Sequence, residues 1–325
     1  MTRFPTRLAA PSIQRGLTLI EMMISMLLGL IVVGGVLGIF VANSETSRRT
    51  GDLARIQENA RAAVQFMSRS MREAGGNPCG IPPNAGVIIH TEDVSESNWW
   101  SGGNDFASSL RGYSGGNSFP AKGSVSMAGG SDAVITVSGN AFAKIVTKDD
   151  GSMFIPSGEG LATGDILFAC SASNVHGVVF KAGAISKSGD QWQVNRANAF
   201  PDVVKSMRAT ALGKVDAEGW FVGNNGRGGT SLFRAFTGDG GRPEEIAPDV
   251  SSMNITYLLP GNPQYVSAND IPVADWPNVI AAYIDLTISK TAAGGQTINR
   301  TVGLTVNLRN RFRVNAGGMH GEDSP

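Results

Sequence analysis

Chemistry needs nucleophiles, acids, bases or metal ligands at workable spacing, and this chain offers few. Gly112-Tyr113-Ser114-Gly115-Gly116 fits G-x-S-x-G, a turn that presents a nucleophilic serine between a strand and a helix. Its surroundings, SLRGYSGGNSFPAKGS, have loop composition and no helical period follows. In a chain with 42 glycines such a match arises by chance, and no catalytic residue is assigned. Asp149-Asp150-Gly151 and Asp239-Gly240-Gly241 carry carboxylates suited to calcium but lack EF-hand ligand spacing, so they read as turns. His90, His176 and His320 form no ligand-like pattern, so no metal and no cofactor is expected. Trp99-Trp100, in a polar stretch, is either a partner anchor or a pair buried by its own loop. One ionisable residue is chemically out of place. Glu21 lies inside an otherwise apolar run, where a carboxylate costs about 2.5–3.5 kcal/mol on insertion scales.

The elements around Glu21 explain what such a carboxylate is for. Residues 1–16 contain Arg3, Arg7 and Arg15 and no acid. Residues 17–42, LTLIEMMISMLLGLIVVGGVLGIFVA, are apolar apart from Thr18, Glu21 and Ser25. As a helix this run reaches about 39 Å, more than the roughly 30 Å of a hydrocarbon core. It reads as a membrane span, with the basic leader cytoplasmic and the rest of the chain across the membrane. It is too long for the apolar region of a cleaved secretory signal, and no convincing cleavage site follows. A plain signal anchor is the simpler alternative. Gly34 and Gly38 form a G-x-x-x-G pair, which either lets helices approach closely or reflects the tolerance of membrane helices for glycine.

The helix continues beyond the span. In residues 43–75, Leu53, Ile56, Ala60, Ala63, Val64, Met67, Met71 and Ala74 recur at intervals of three and four. Arg48, Asp52, Arg55, Glu58, Arg61, Arg69 and Arg72 take the other faces, and Gly75-Gly76-Asn77-Pro78 is a stop signal. One helix of about 55–60 residues, with its apolar stripe against a soluble head, follows from that pattern. The head, residues 76–325, reads as β-rich. Short apolar runs at 87–90, 133–137, 166–170, 175–181, 232–236 and 253–259 are punctuated by Gly, Asn, Ser and Asp. The last hairpin is the clearest: Ile280, Ala282, Ile284, Leu286 and Ile288 share one face, answered by Val302, Leu304, Val306 and Leu308. Residues 101–131, rich in Gly, Ser and Asn, read as loop. The fold class is α+β: a long N-terminal transmembrane-plus-amphipathic helix, then a large antiparallel β-rich head. Charge is balanced at 27 basic and 27 acidic residues, which excludes a partner held by phosphate neutralisation, so no nucleic acid is expected.

Arg15-Gly16-Leu17-Thr18-Leu19-Ile20-Glu21, followed by the apolar run, resembles the class III signal of type IV pilins and type II secretion pseudopilins. The resemblance implies that prepilin peptidase cuts between Gly16 and Leu17 and methylates the new amino group of Leu17, where Phe is usual. It implies that Glu21 pairs with the N-terminal amine of a neighbouring subunit during assembly. A buried carboxylate wants a buried cation, and cleavage creates one in the same membrane layer. Glycine or proline loosens the helix of such proteins in the filament, a role open to Gly38.

Segments of the head are similar to PilW-type minor pilins: Gly164-Asp165-Ile166-Leu167-Phe168-Ala169-Cys170, Ile246–Val250 with Met253–Tyr257, Trp276–Val279 with Ile284–Leu286, and Val302–Leu304 through Leu308-Arg309-Asn310-Arg311. They fall in the expected order along the head. The implied role is priming or capping of type IV pilus assembly near the tip, from the inner membrane and then within the fibre. The implied partners are other minor pilins, the major pilin, prepilin peptidase, the inner-membrane assembly platform and, optionally, a tip adhesin. A type II secretion minor pseudopilin is the nearest alternative, and a membrane-anchored periplasmic binding protein or hydrolase the alternative of another class. Cys79 and Cys170 are the only cysteines, and in an oxidising periplasm they are expected to pair. The closed loop of about 90 residues is worth roughly 4–5 kcal/mol in the chain-entropy model. Two buried free thiols are the other option.

Overall fold

The computed structural model of the chain describes residues 18–77, 79, 87–90, 109–116, 118–147, 153–158, 160–171, 176–196, 209–237, 241–291 and 297–311. One helix, α1 (Leu19–Glu73), runs unbroken for 55 residues. Thr18 caps its start, its side chain accepting from the Glu21 amide. Its end is set by Gly75, at φ 78°, a left-handed conformation that suits glycine. The last carbonyls of a helix have no partner within it. Here Asn310 supplies one, its side-chain amide donating to the carbonyls of Glu73 at 3.4 Å and Ala74 at 3.2 Å. The closing Leu308–Arg311 segment thus ties the end of the chain to the end of α1.

The strands of the head are, in the first half, β1 (Val87–His90), β2 (Leu110–Tyr113), β3 (Ala133–Lys144), β4 (Val146–Thr147), β5 (Met153–Ile155), β6 (Ile166–Ser171), β7 (His176–Ser188) and β8 (Gln191–Arg196). The second half holds β9 (Ala209–Asn224), β10 (Thr230–Phe236), β11 (Pro243–Pro248), β12 (Val250–Leu258), β13 (Val266–Ser267), β14 (Ala281–Thr291) and β15 (Thr297–Asn307). The first eleven form one sheet centred on β9, which has β3 along one side and both β6 and β10 along the other. Pairing is antiparallel except for β1 with β7. The other four make a smaller sheet in the order β13-β12-β14-β15. The final hairpin pairs Ile284 with Leu304 and Leu286 with Val302, as the alternation of the sequence requires.

Burial follows the two periods of the sequence. Along α1 only the distal half is covered: Ile56, Ala60, Ala63, Met67, Met71 and Ala74 are all buried. They meet Trp220, Val222 and Leu232 of the large sheet and Ile284, Leu286 and Val306 of the small one, so α1 lies in a core shared by both sheets. Strand alternation sends Phe221 and Phe233 to the opposite face of the large sheet. There they stack, ring centroids 5.6 Å apart, and Phe119 packs on Phe221 at 5.3 Å. A third cluster, around Leu167, Phe180 and Val194, fills the space between β5, β6, β7 and β8. Cys79 and Cys170 are disulfide-bonded, with Cα atoms 5.4 Å apart, so the segment leaving α1 is tied to β6.

Two features depart from the expectations above. Leu53, assigned to the apolar stripe, is 39% exposed, because it lies almost a turn before Ile56, the first buried residue of α1. Residues 109–131, expected to be loop, contain strand β2 and the buried side chains of Leu110, Phe119 and Ala121. Glycine there is a packing device. A methyl group on Gly112 would overlap the ring and hydroxyl of Tyr257, which lies against it from the small sheet. At the same junction the Asp132 carboxylate accepts from the amides of Gly115 at 2.9 Å and Ile255 at 2.8 Å, and the buried Ser131 hydroxyl accepts from the Met253 amide at 3.0 Å. These bonds lock β12 onto the start of β3.

Met67→Ala is expected to cost about 2–5 kcal/mol, as for other large-to-small changes at buried sites. Leu53→Ala should stay within about 0.5 kcal/mol. Urea denaturation of the detergent-solubilised full chain checks the pair, and equal losses would contradict the covered boundary at Ile56. In the same assay Gly112→Ala should cost about 1–3 kcal/mol through overpacking. Tyr257→Phe should be neutral or stabilising, because among the described residues the buried Tyr257 hydroxyl has no hydrogen-bond partner.

Candidate functional site

The proximal half of α1 has no other described residue packed around it. From Leu19 to Asn43 every residue is exposed, Leu30 to 76% and Phe40 to 70%. In water that surface would far exceed the apolar patches that monomers expose. The segment is long and apolar enough to cross a membrane. Its polar groups are handled locally. The Ser25 hydroxyl donates to the Glu21 carbonyl at 2.7 Å, the backbone bond by which serine hides in an apolar helix.

Glu21 occupies the third position of the helix. Its amide donates to the Thr18 hydroxyl at 3.4 Å, and the Met22 amide donates to the Thr18 carbonyl at 3.2 Å. Thr18-x-x-Glu21 is the spacing of a capping box, a signal that residue typing alone could have found. An acid in the first turn also complements the helix dipole. Both effects favour a carboxylate at this place, yet neither consumes its charge. Among the described residues the Glu21 carboxylate forms no ion pair, and it stands exposed on the apolar segment. Gly16 and Leu17 lie outside the described residues. Gly34 and Gly38 share a helix face, and a methyl group on either would meet nothing within 4 Å. Packing within the chain therefore does not call for glycine at these two positions.

The other candidates gain no catalytic geometry. Ser114 does follow a strand, β2, but a three-residue turn, Ser114–Gly116, takes the place of the helix that a nucleophile elbow needs. Its hydroxyl pairs with the Ser267 hydroxyl at 3.1 Å. Among the described residues no group of three or more His, Cys, Asp or Glu side chains is placed to hold a metal. Asp149-Asp150-Gly151, Asp239-Gly240, Trp99-Trp100 and His320 lie outside the described residues. Sequence reasoning missed Ser70, a buried hydroxyl on the striped face of α1. It shares a 2.5 Å bond with the Thr136 hydroxyl and accepts from the Trp220 indole at 3.1 Å.

The family model described as a prokaryotic N-terminal methylation motif matches residues 11–37. Neither a curated protein nor a solved structure is similar enough to the chain to match it. The matched segment contains Gly16, Leu17, Glu21 and most of the exposed apolar helix, and it points to a structural rather than an enzymatic family. Motif, exposed apolar helix and β-rich head together support a membrane-anchored protein of the type IV pilin or pseudopilin kind.

Proposed function

We propose that the chain is a minor pilin of the PilW type that helps prime or cap type IV pilus assembly near the tip. Residues 1–16 are its leader, 17–42 its membrane span, 43–75 the helix that carries the head, and 76–325 a periplasmic head. Prepilin peptidase cuts between Gly16 and Leu17 and methylates Leu17. The processed chain stays in the inner membrane, amino terminus on the cytoplasmic side, until the assembly platform adds it to the fibre. Its neighbours are other minor pilins and the major pilin, with a tip adhesin as a further partner.

One observation carries this reading: Glu21 is a carboxylate on an apolar helix that nothing among the described residues covers or neutralises. In lipid such a charge costs free energy that a neighbouring cation would offset. The amine released at Leu17 of a neighbouring subunit lies at the same depth and meets that need. Gly34 and Gly38, unneeded within the chain, leave a flat strip for close helix approach in a bundle. A type II secretion minor pseudopilin shares all of this N-terminal logic, and the methylation motif fits it equally. The large head and the Leu308–Arg311 segment favour the pilus.

Gly16→Leu should abolish processing, leaving a chain whose intact mass includes the leader; a normal mature mass would refute the cleavage site. Glu21→Ala should leave the chain in the membrane but lower its amount in sheared fibres by about tenfold or more, because one partner of a buried pair is left alone. Unchanged incorporation would show that the charge pair is dispensable. A clean deletion strain separates the two systems: lost surface pili with normal type II secretion supports the pilus, and the reverse result assigns the chain to secretion.

A further inference from the structure

The large sheet changes character along the side that faces α1. Where α1 covers it, that side is apolar, with Val134, Trp220, Val222 and Leu232 buried. Further along the same strands and on the same side come Ser138 of β3, Asp216 and Glu218 of β9, and Arg234 of β10. With Phe66 and Glu73 of α1 they line an open groove of about 270 Å³.

Most charges in the groove are already spoken for. Arg69 meets Glu73 at 3.0 Å, and Arg234 lies between Glu218 at 3.6 Å and Glu244 at 3.1 Å. Asp216 is different. It accepts from the Asn140 side-chain amide at 2.8 Å and has no ion pair among the described residues. Burial pushes its carboxyl above the usual range, against the Asn140 hydrogen bond and the pull of Lys214; Asp165, Glu218 and Glu73 are the other carboxylates around it. Lys214 itself is engaged by Asp165 at 3.0 Å. The aromatic wall is also unfinished. Arg234 lies 5.3 Å from the ring centre of Phe236, while Phe66 on α1 stands 49% exposed. A carboxylate with no ion pair among the described residues and an open aromatic ring on the wall of the same groove together suit a cationic side chain.

The complementary surface is on the page as well. Arg55, Arg61 and Arg72 of α1 are exposed and make no ion pair among the described residues. A helix of this type therefore presents unpaired guanidinium groups to whatever lies alongside it. We propose that the groove docks an arginine or lysine side chain from the helix of a neighbouring pilin-type subunit, with Asp216 as counter-charge and Phe66 as wall. This rests on the assembly role proposed above.

Asp216 also has the thermodynamic signature of a binding residue. A carboxyl whose pKa is raised by folding opposes folding once it ionises; that penalty is present above the raised value and vanishes below the unfolded one. At neutral pH the burial of Asp216 therefore subtracts from the stability of the head.

The test replaces Phe66, in the full chain in its own cells, by an aromatic photoreactive amino acid that keeps a ring in the groove. Adducts are mapped by peptide sequencing, and sheared fibres are assayed for the chain in the same sample. The expected adduct lies on an Arg- or Lys-bearing stretch of another pilin-type helix. Asp216→Asn should cut its yield by about tenfold, as for loss of one member of a desolvated charge pair. It should leave the thermal unfolding midpoint of the detergent-solubilised chain unchanged or raised. Adducts on a head or on an unrelated protein, or a yield indifferent to Asp216→Asn, would overturn the docking. So would a lowered midpoint, which would make Asp216 a residue of the fold. If the chain enters fibres but Phe66 captures no helix, the docking alone falls; if it does not enter fibres, the assembly role falls with it.

Discussion

The head cannot complete its core without the distal half of α1. Ile56, Ala60, Ala63, Met67, Met71 and Ala74 share one buried cluster with residues of both sheets. Without the helix, Trp220 of β9 and the inner side of β14 and β15 would lose cover. The same helix, thirteen residues before Ile56, is still in its exposed stretch. One continuous element thus serves two solvents, with a uniformly apolar half and a striped half. Because its backbone bonds run unbroken from Leu19 to Glu73, the position of the head is coupled to the position of the span.

That coupling explains why the ends of the head are fastened so firmly to the ends of its share of α1. At the distal end Asn310 caps the helix, Gly75 donates to the Val137 carbonyl at 2.8 Å, and the Cys79–Cys170 bridge holds the exit segment to β6. At the proximal end Lys290 of β14 reaches Asp52 at 3.3 Å and Asp249 at 3.6 Å. Partly exposed pairs of this kind add little stability singly. Their value here is geometric, since they fix where the head begins along the helix.

Much of the fold was legible because its periods are long and clean. The stripe from Ile56 to Ala74 repeats over five turns, and the final hairpin alternates over both strands, so burial in the structure follows the residue types closely. Legibility failed where one residue type serves two purposes. Glycine signals a loop, but Gly112 is a strand residue that makes room for Tyr257, a need set by a residue far along the chain. Serine signals solvent, but Ser70 and Ser131 are buried because they satisfy Trp220 and the Met253 backbone. These are long-range hydrogen-bond demands, and no local window contains both partners. Glu21 stands out in the sequence for the opposite reason: the misfit between a carboxylate and its apolar neighbours is entirely local.

The two carboxylates of interest stand in related predicaments. Glu21 sits in a segment apolar enough to cross a membrane, and Asp216 lines a groove; neither forms an ion pair among the described residues. Ionised groups held out of water cost free energy, and a chain optimised only for its own folding would replace both with neutral residues. One lies near the start of α1 and the other beside its end, so in the proposed assembly the cations at both levels would come from neighbours aligned with that helix. Two charges about a full helix length apart also demand a register: a neighbour shifted along the axis can neutralise one without the other. Selection of one axial offset from many follows from that pairing, which is the property an ordered filament requires and an isolated membrane anchor does not.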